Sequence, residues 1–194
     1  VGGCLMQTTL IKTLTASASS SLDFVDGTSS VVLDDTYDEY MFIFSNMAPG
    51  TEGADLVFQV NATDDAGGDF DTSLITSTFF VSYAFEHAEQ SIHYGYDDGR
   101  DLAQSANFQT LANSITDDAD SGASGYLNLY SPSSTTYVKH FTSRFSVVQH
   151  HADSNFHASM WVAGYINDTT AIDEIRFKMD SGNFNGVIQL FGIS

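Results

Sequence analysis

Residues 137–149 read YVKHFTSRFSVVQ, with Tyr137, Phe141, Phe145 and Val147 separated by polar residues such as His140, Thr142 and Arg144. Side chains of an extended chain alternate between two faces, so this stretch predicts one long strand with an apolar and a polar side. The same alternation recurs on both sides of it. Downstream come Met160–Tyr165, then Ile175, Phe177 and Met179 alternating with Arg176 and Lys178, and finally Val187–Ile193. Upstream, Leu127 and Leu129 should face the core, with Tyr126, Asn128 and Tyr130 turned outward. Phe79, Val81, Tyr83 and Phe85 form an inward row opposite Phe80, Ser82 and Ala84, and Leu56, Phe58 and Val60 alternate with Val57 and Gln59. Tyr40–Phe44 (YMFIF) is apolar on both faces and predicts a central strand covered on both sides. Thr9–Ala16 and Val31–Leu33 predict an early pair around the turn Asp26-Gly27. One segment, Asp101–Ala112, has a loose helical spacing of Leu102, Phe108 and Leu111. The whole predicts about nine to eleven strands by ordinary strand and loop lengths. The expected class is all-β: a single antiparallel β-sandwich, jelly-roll-like, with at most one short helix.

Composition supports that reading and removes several functions. The 194 residues hold 25 acids against 6 Lys and Arg, a formal charge of −19. Of the acids, 20 are Asp and 5 are Glu. Asp bonds its own backbone in turns, whereas Glu favours helix interiors, so the acids belong to loops between strands. Nucleic acid and anionic membrane surfaces are excluded as expected partners, because both are held by clustered cations and none cluster here. Cys4 is the only cysteine, so no intrachain disulfide or thiolate metal cage can form. The opening VGGCLMQTTLIKTL lacks the regions of a secretory signal. We expect residues 1–5 to be an N-terminal extension ahead of one domain over 6–194.

Several stretches carry a resemblance: MQTTLIKTLTASASSSLDFVDGTSSVVLDDTYDEYMFIF, LVFQVNA, GYLNLYSPSSTTYVKHF and AGYINDTTAIDEIRFKMDSGNFNGVIQLFGIS. Together they cover most of the chain, which resembles uncharacterised virion structural proteins of marine tailed phages. The resemblance implies a β-sandwich carried on the particle, at the capsid surface or the tail, with no assigned chemistry. VGGCL ahead of Met6 departs from that pattern.

Three clusters invite a site. Asp64, Asp65, Asp69 and Asp71 share one Gly-containing loop, and Asp117, Asp118 and Asp120 share another. Both are oxygen-rich enough for Ca²⁺, but neither has the alternation and terminal Glu of an EF-hand, and solvated polar loops explain them. His150, His151, Asp153 and His157 lie in QHHADSNFH. Adjacent histidines of a strand point to opposite faces, so a hairpin tip or subunit contact is the expected role rather than zinc or nickel. Tyr94, Tyr96, Trp161 and Tyr165 could stack on sugars, although ordinary packing and interface use accounts for such aromatics. The sequons Asn61-Ala-Thr63 and Asn167-Asp-Thr169 carry no weight without a secretory route. No nucleophile-elbow, zinc-protease or phosphate-loop pattern occurs. Hence no catalytic, cofactor or metal-binding residue is assigned.

These readings converge on a non-enzymatic protein of the outer virion surface, a capsid decoration or cement protein made in the host cytoplasm. Its expected partners are copies of itself, as a homo-oligomer and foremost a trimer, and phage capsid or tail proteins. The alternative is an attachment module of a tail fibre or capsid that binds host surface glycan.

Overall fold

The computed structural model describes residues 7–65, 68, 70, 72–85, 93–152 and 155–194. The expected extension at residues 1–5 therefore lies outside the described residues. Among them run twelve strands: β1 (Thr8–Ser19), β2 (Leu22–Val25), β3 (Glu39–Pro49), β4 (Ala54–Ala62), β5 (Ile75–Phe85), β6 (His93–Tyr96), β7 (Gln109–Ile115), β8 (Ala123–Tyr130), β9 (Lys139–Gln149), β10 (Phe156–Ile166), β11 (Ile172–Met179) and β12 (Phe184–Ile193). A single 3₁₀ turn at Asp98–Arg100 is their only helical element. The all-β expectation holds, with one strand more than the upper end of the expected count.

Eight of these strands pair outermost with outermost. β1 pairs β12, β2 pairs β11, β3 pairs β8 and β4 pairs β7, all antiparallel. Pairings of β12 with β3 and β11 with β4 join them into two four-stranded sheets, β1-β12-β3-β8 and β2-β11-β4-β7. This is the pairing of a folded ribbon wrapped into a sandwich, the jelly-roll topology. Phenylalanines lock the layers face to face. Phe42 and Phe44 of β3 meet Phe177 of β11 at 5.2 and 4.9 Å between ring centroids, and Phe24 of β2 meets Phe42 at 5.3 Å. All four are buried to 1% exposure or less, and each such burial stabilises by about 1.5–3 kcal/mol relative to exposure. Gly125 lies opposite Phe44 on one side and Phe145 on the other. A Cβ there would fall 2.2 Å from the Arg144 carbonyl and 2.7 Å from the Phe145 ring. Glycine thus lets Phe44 and Phe145 approach to 5.0 Å.

Two insertions enlarge one layer only. β5–β6 lies between β4 and β7, and β9–β10 between β8 and β11. β9 adds to β8, β10 to β9, β5 to β10 and β6 to β5, producing an eight-stranded sheet β1-β12-β3-β8-β9-β10-β5-β6. A lone Ile115–Gln149 bridge between β7 and β9 ties the layers on one side, and the short β1–β2 link ties them on the other. The sheet is thereby nearly closed into a flattened barrel. Lys139, with no solvent exposure, opens β9 by donating its Nζ to the carbonyls of Asp168, at 3.0 Å, and Thr170. Burial lowers its pKa from the ordinary lysine value, against the pull of Asp168 and Asp64.

Four local expectations are corrected. Residues 101–112 form no helix, because strand β5 takes their backbone groups. Leu102 N–H donates to Ser77 Oγ at 3.0 Å, and Ser105 exchanges backbone hydrogen bonds with Ile75; Gln109 onward is strand β7. Val31–Leu33 is not a strand; its ends are buried, and Leu33 N–H is held by the Asp26 carboxylate at 2.8 Å. Tyr137 lies outside β9 and is 73% exposed. Finally, β3 is central but covered on one face, with Tyr40, Phe42 and Phe44 inside and Met41 and Ile43 half-buried outside. The strand buried on both faces is β4.

Candidate functional site

The outward residues of the eight-stranded sheet line up because the strands are in strict register. Ile43 of β3 pairs Tyr126 of β8, Tyr126 pairs Arg144 of β9, Arg144 pairs Trp161 of β10, Trp161 pairs Phe80 of β5, and Phe80 pairs Tyr96 of β6. One row of apolar, aromatic and guanidinium groups therefore crosses six strands. Tyr126 is 39%, Phe80 41% and Tyr96 62% exposed. The Arg144 guanidinium lies over the Trp161 ring at 5.2 Å, and Trp161 and Phe80 have centroids 5.6 Å apart. Tyr96 is anchored by its hydroxyl to Asp101, whose other oxygen accepts the Phe79 N–H at 2.7 Å.

Beside this ridge runs a second row of small hydroxyl residues, Ser124, Ser146, Ser159 and Ser82, ending at Tyr94. The height difference makes a trough of about 320 Å³, lined by Ser124, Tyr126, Arg144, Ser146, His157 and Ser159. It continues past Ser124 and Ser146 into a recess of about 480 Å³ bounded by Asn46, Ala48 and residues 119–122. Ser146 Oγ and His157 Nε2 are 3.1 Å apart in the trough. That pair is poorly placed for acyl chemistry. On a strand the backbone N–H groups that would stabilise an oxyanion are engaged in the sheet ladder.

The residues singled out from sequence scatter. Asp64 accepts from Thr170 Oγ1 at 2.9 Å and Asp65 from Thr72 Oγ1 at 2.7 Å; Asp69 and Asp71 lie outside the described residues. Asp118 accepts from Asn155 Nδ2 at 2.7 Å, and Asp120 accepts from Ser121 Oγ at 3.4 Å. Asp117 hydrogen-bonds Glu52, which raises the Glu52 pKa above the ordinary carboxylate value. His150 Nδ1 meets Glu52 at 2.7 Å, His151 packs against Phe156 at 5.8 Å, and His157 sits in the trough; Asp153 lies outside the described residues. No three His, Cys, Asp or Glu side chains converge among the described residues. Asn61 of the first sequon is 4% exposed, with its Nδ2 donating to Asp173 at 3.0 Å.

The aromatic set fares differently. Trp161 and Tyr96 share the row, Tyr94 stands one row away, and Tyr165 lies two rows away beside His140. Sequence reading missed Tyr126, Phe80 and Arg144 as members of the same surface. Alternation placed Tyr126 and Phe80 outward, but only cross-strand register brings them together. No family model, curated protein or solved structure matches the chain.

Proposed function

We propose that the protein is a non-enzymatic structural component of a virion's outer surface, a capsid decoration or cement module acting as a homo-oligomer. The observation that carries this reading is the topology. The jelly roll is a recurrent unit of viral capsid domains, and the reading rests on that analogy of fold. The charge distribution supports it. Arg176 makes two hydrogen bonds to Asp23 at 2.8 Å, Arg100 pairs with Asp55, Lys139 is buried and Lys12 bonds the Ser29 carbonyl. The few cations are thus largely spent inside the fold, and the remaining acidic surface suits a position away from packaged nucleic acid. Strand β1, twelve residues long and paired among the described strands with β12 alone, offers an edge with Leu10 51% exposed for contact with a neighbouring chain.

Light scattering across a salt series tests the proposal. Each copy carries −19, and repulsion between copies is screened only over about 10 Å at 0.1 M salt. The expected result is a trimer that strengthens in seawater-like salt and dissociates at low ionic strength. A monomer at every salt concentration would overturn it.

A further inference from the structure

We propose that the outer face of the eight-stranded sheet binds a neutral polysaccharide, its chain lying across the strands along Tyr126, Arg144, Trp161, Phe80 and Tyr96. This goes beyond a structural role on a particle, since it assigns the face a ligand of its own. From Tyr126 to Tyr96 the row crosses four strand gaps, roughly 19 Å at about 4.8 Å each, room for several sugar units. The exposed rings offer apolar surfaces to the C–H faces of sugars. In the parallel row the Ser124 hydroxyl, which accepts the Asn46 N–H at 3.0 Å, and the Ser146 hydroxyl, 3.1 Å from His157 Nε2, keep hydrogen-bonding capacity for a sugar, while buried Ser159 lies beneath them. The trough of about 320 Å³ falls in the size range of small-ligand sites, and it runs on into the recess beside residues 119–122.

Composition and charge choose among occupants. Serine is depleted at the cores of protein–protein interfaces, so a trough lined by Ser124, Ser146 and Ser159 is poorly made for a protein partner. The chain's charge of −19 repels nucleic acids, anionic lipid surfaces and polyuronates, leaving an uncharged hydroxyl-rich polymer. Arg144 fits that ligand. Its guanidinium is held over Trp161, with no carboxylate against it among the described residues, which leaves N–H donors for sugar oxygens.

Trp161 is the only tryptophan, so its emission reports from within the site. The full chain would be titrated with laminarin, yeast mannan and dextran as neutral probes and alginate as a polyanion, and run in native gels containing each. The expected result is a saturable change in emission and gel retardation with at least one neutral polymer. Arg144→Gln and Tyr126→Ser should each weaken binding about tenfold, while Lys178→Gln on the opposite layer binds as the native protein does. Both trough variants alter exposed side chains, and unchanged melting temperatures would establish that they fold. Three results would overturn the proposal: no response to any neutral polymer in either assay, binding to alginate alone, or native-like binding by Arg144→Gln and Tyr126→Ser. The oligomeric state is read separately by light scattering, so failure here is distinct from failure of the virion reading.

Discussion

The two outer faces of the jelly roll both carry a cation set over an aromatic ring, yet they end in opposite states. On the four-stranded layer, the outward side chains of β4 are Asp55, Val57, Gln59 and Asn61, and all are buried. Loops thatch them. Gln59 Nε2 donates to the carbonyls of Ser73, Ala106 and Asn107 at 3.2, 3.0 and 3.3 Å. Asp55 pairs with Arg100 and accepts the Ser114 N–H at 2.8 Å. Arg176 sits over Phe70 at 4.4 Å and Lys178 over Phe108 at 4.6 Å, pinning both rings of the thatch. On the eight-stranded sheet the equivalent contact, Arg144 over Trp161, joins two neighbouring strands and, among the described residues, holds no loop down. A cation on a ring fastens a cover on one face and remains part of an open surface on the other. What differs is the chain available to cover each face: the segments between β4 and β7 fold back over β4 itself.

Gln59→Ala should separate the faces most sharply. It leaves three loop carbonyls without their donor and opens a cavity beneath them, for a loss of about 2–4 kcal/mol. In a chain of this length that lowers the melting temperature by roughly 4–16 °C. Hydrogen exchange should show the loop carrying Ala106 and Asn107 losing protection while β8 and β9 keep theirs. A melting temperature within a degree of the native protein would mean the thatch is not held by Gln59.

Asp55 sharpens the comparison through pH. Burial raises its pKa above the ordinary 3.8, opposed by the Ser114 N–H and Arg100. A carboxyl whose folded pKa is raised binds its proton more tightly in the native state. Stability from this group is therefore full below the unfolded value and is lost as pH rises from there to the raised native value. Asp55→Asn should flatten that part of the stability profile, by at most about 1.4 kcal/mol per pH unit. Urea melts across this window measure the slope, and identical slopes in both proteins would break the assignment.

The smallest effect compares two cations over rings. Lys178→Gln should cost about 0.5–1 kcal/mol because the Phe108 ring is part of the cover. Arg144→Gln should change stability by less than about 0.5 kcal/mol, as expected of an exposed position. Equal costs in thermal melts would mean that the two faces are fastened alike.

Alternation with period two is a local property, so the sequence by itself determined the strand class and which side chains of most strands face the core. Leu127 and Leu129 are buried with Tyr126 turned out, and Ile175, Phe177 and Met179 are buried beneath Arg176 and Lys178. It misjudged β3, because apolar residues on both faces of Tyr40–Phe44 predict cover on both sides, and nothing in the alternation of β4 marks that strand as the one so covered. Cover is decided by distant chain. Gln59 is buried by carbonyls up to 48 residues away, and a polar side chain whose hydrogen bonds are met inside need not face solvent. The helical spacing in residues 101–112 failed for the same reason, since the N–H groups of Leu102, Gln104 and Ser105 have their partners on β5 rather than on one another. The aromatic row was invisible in the same way. Residues 80, 96, 126, 144 and 161 share no periodicity along the chain, and only the antiparallel register of five strands, set when the two insertions pair with each other, brings them to one surface.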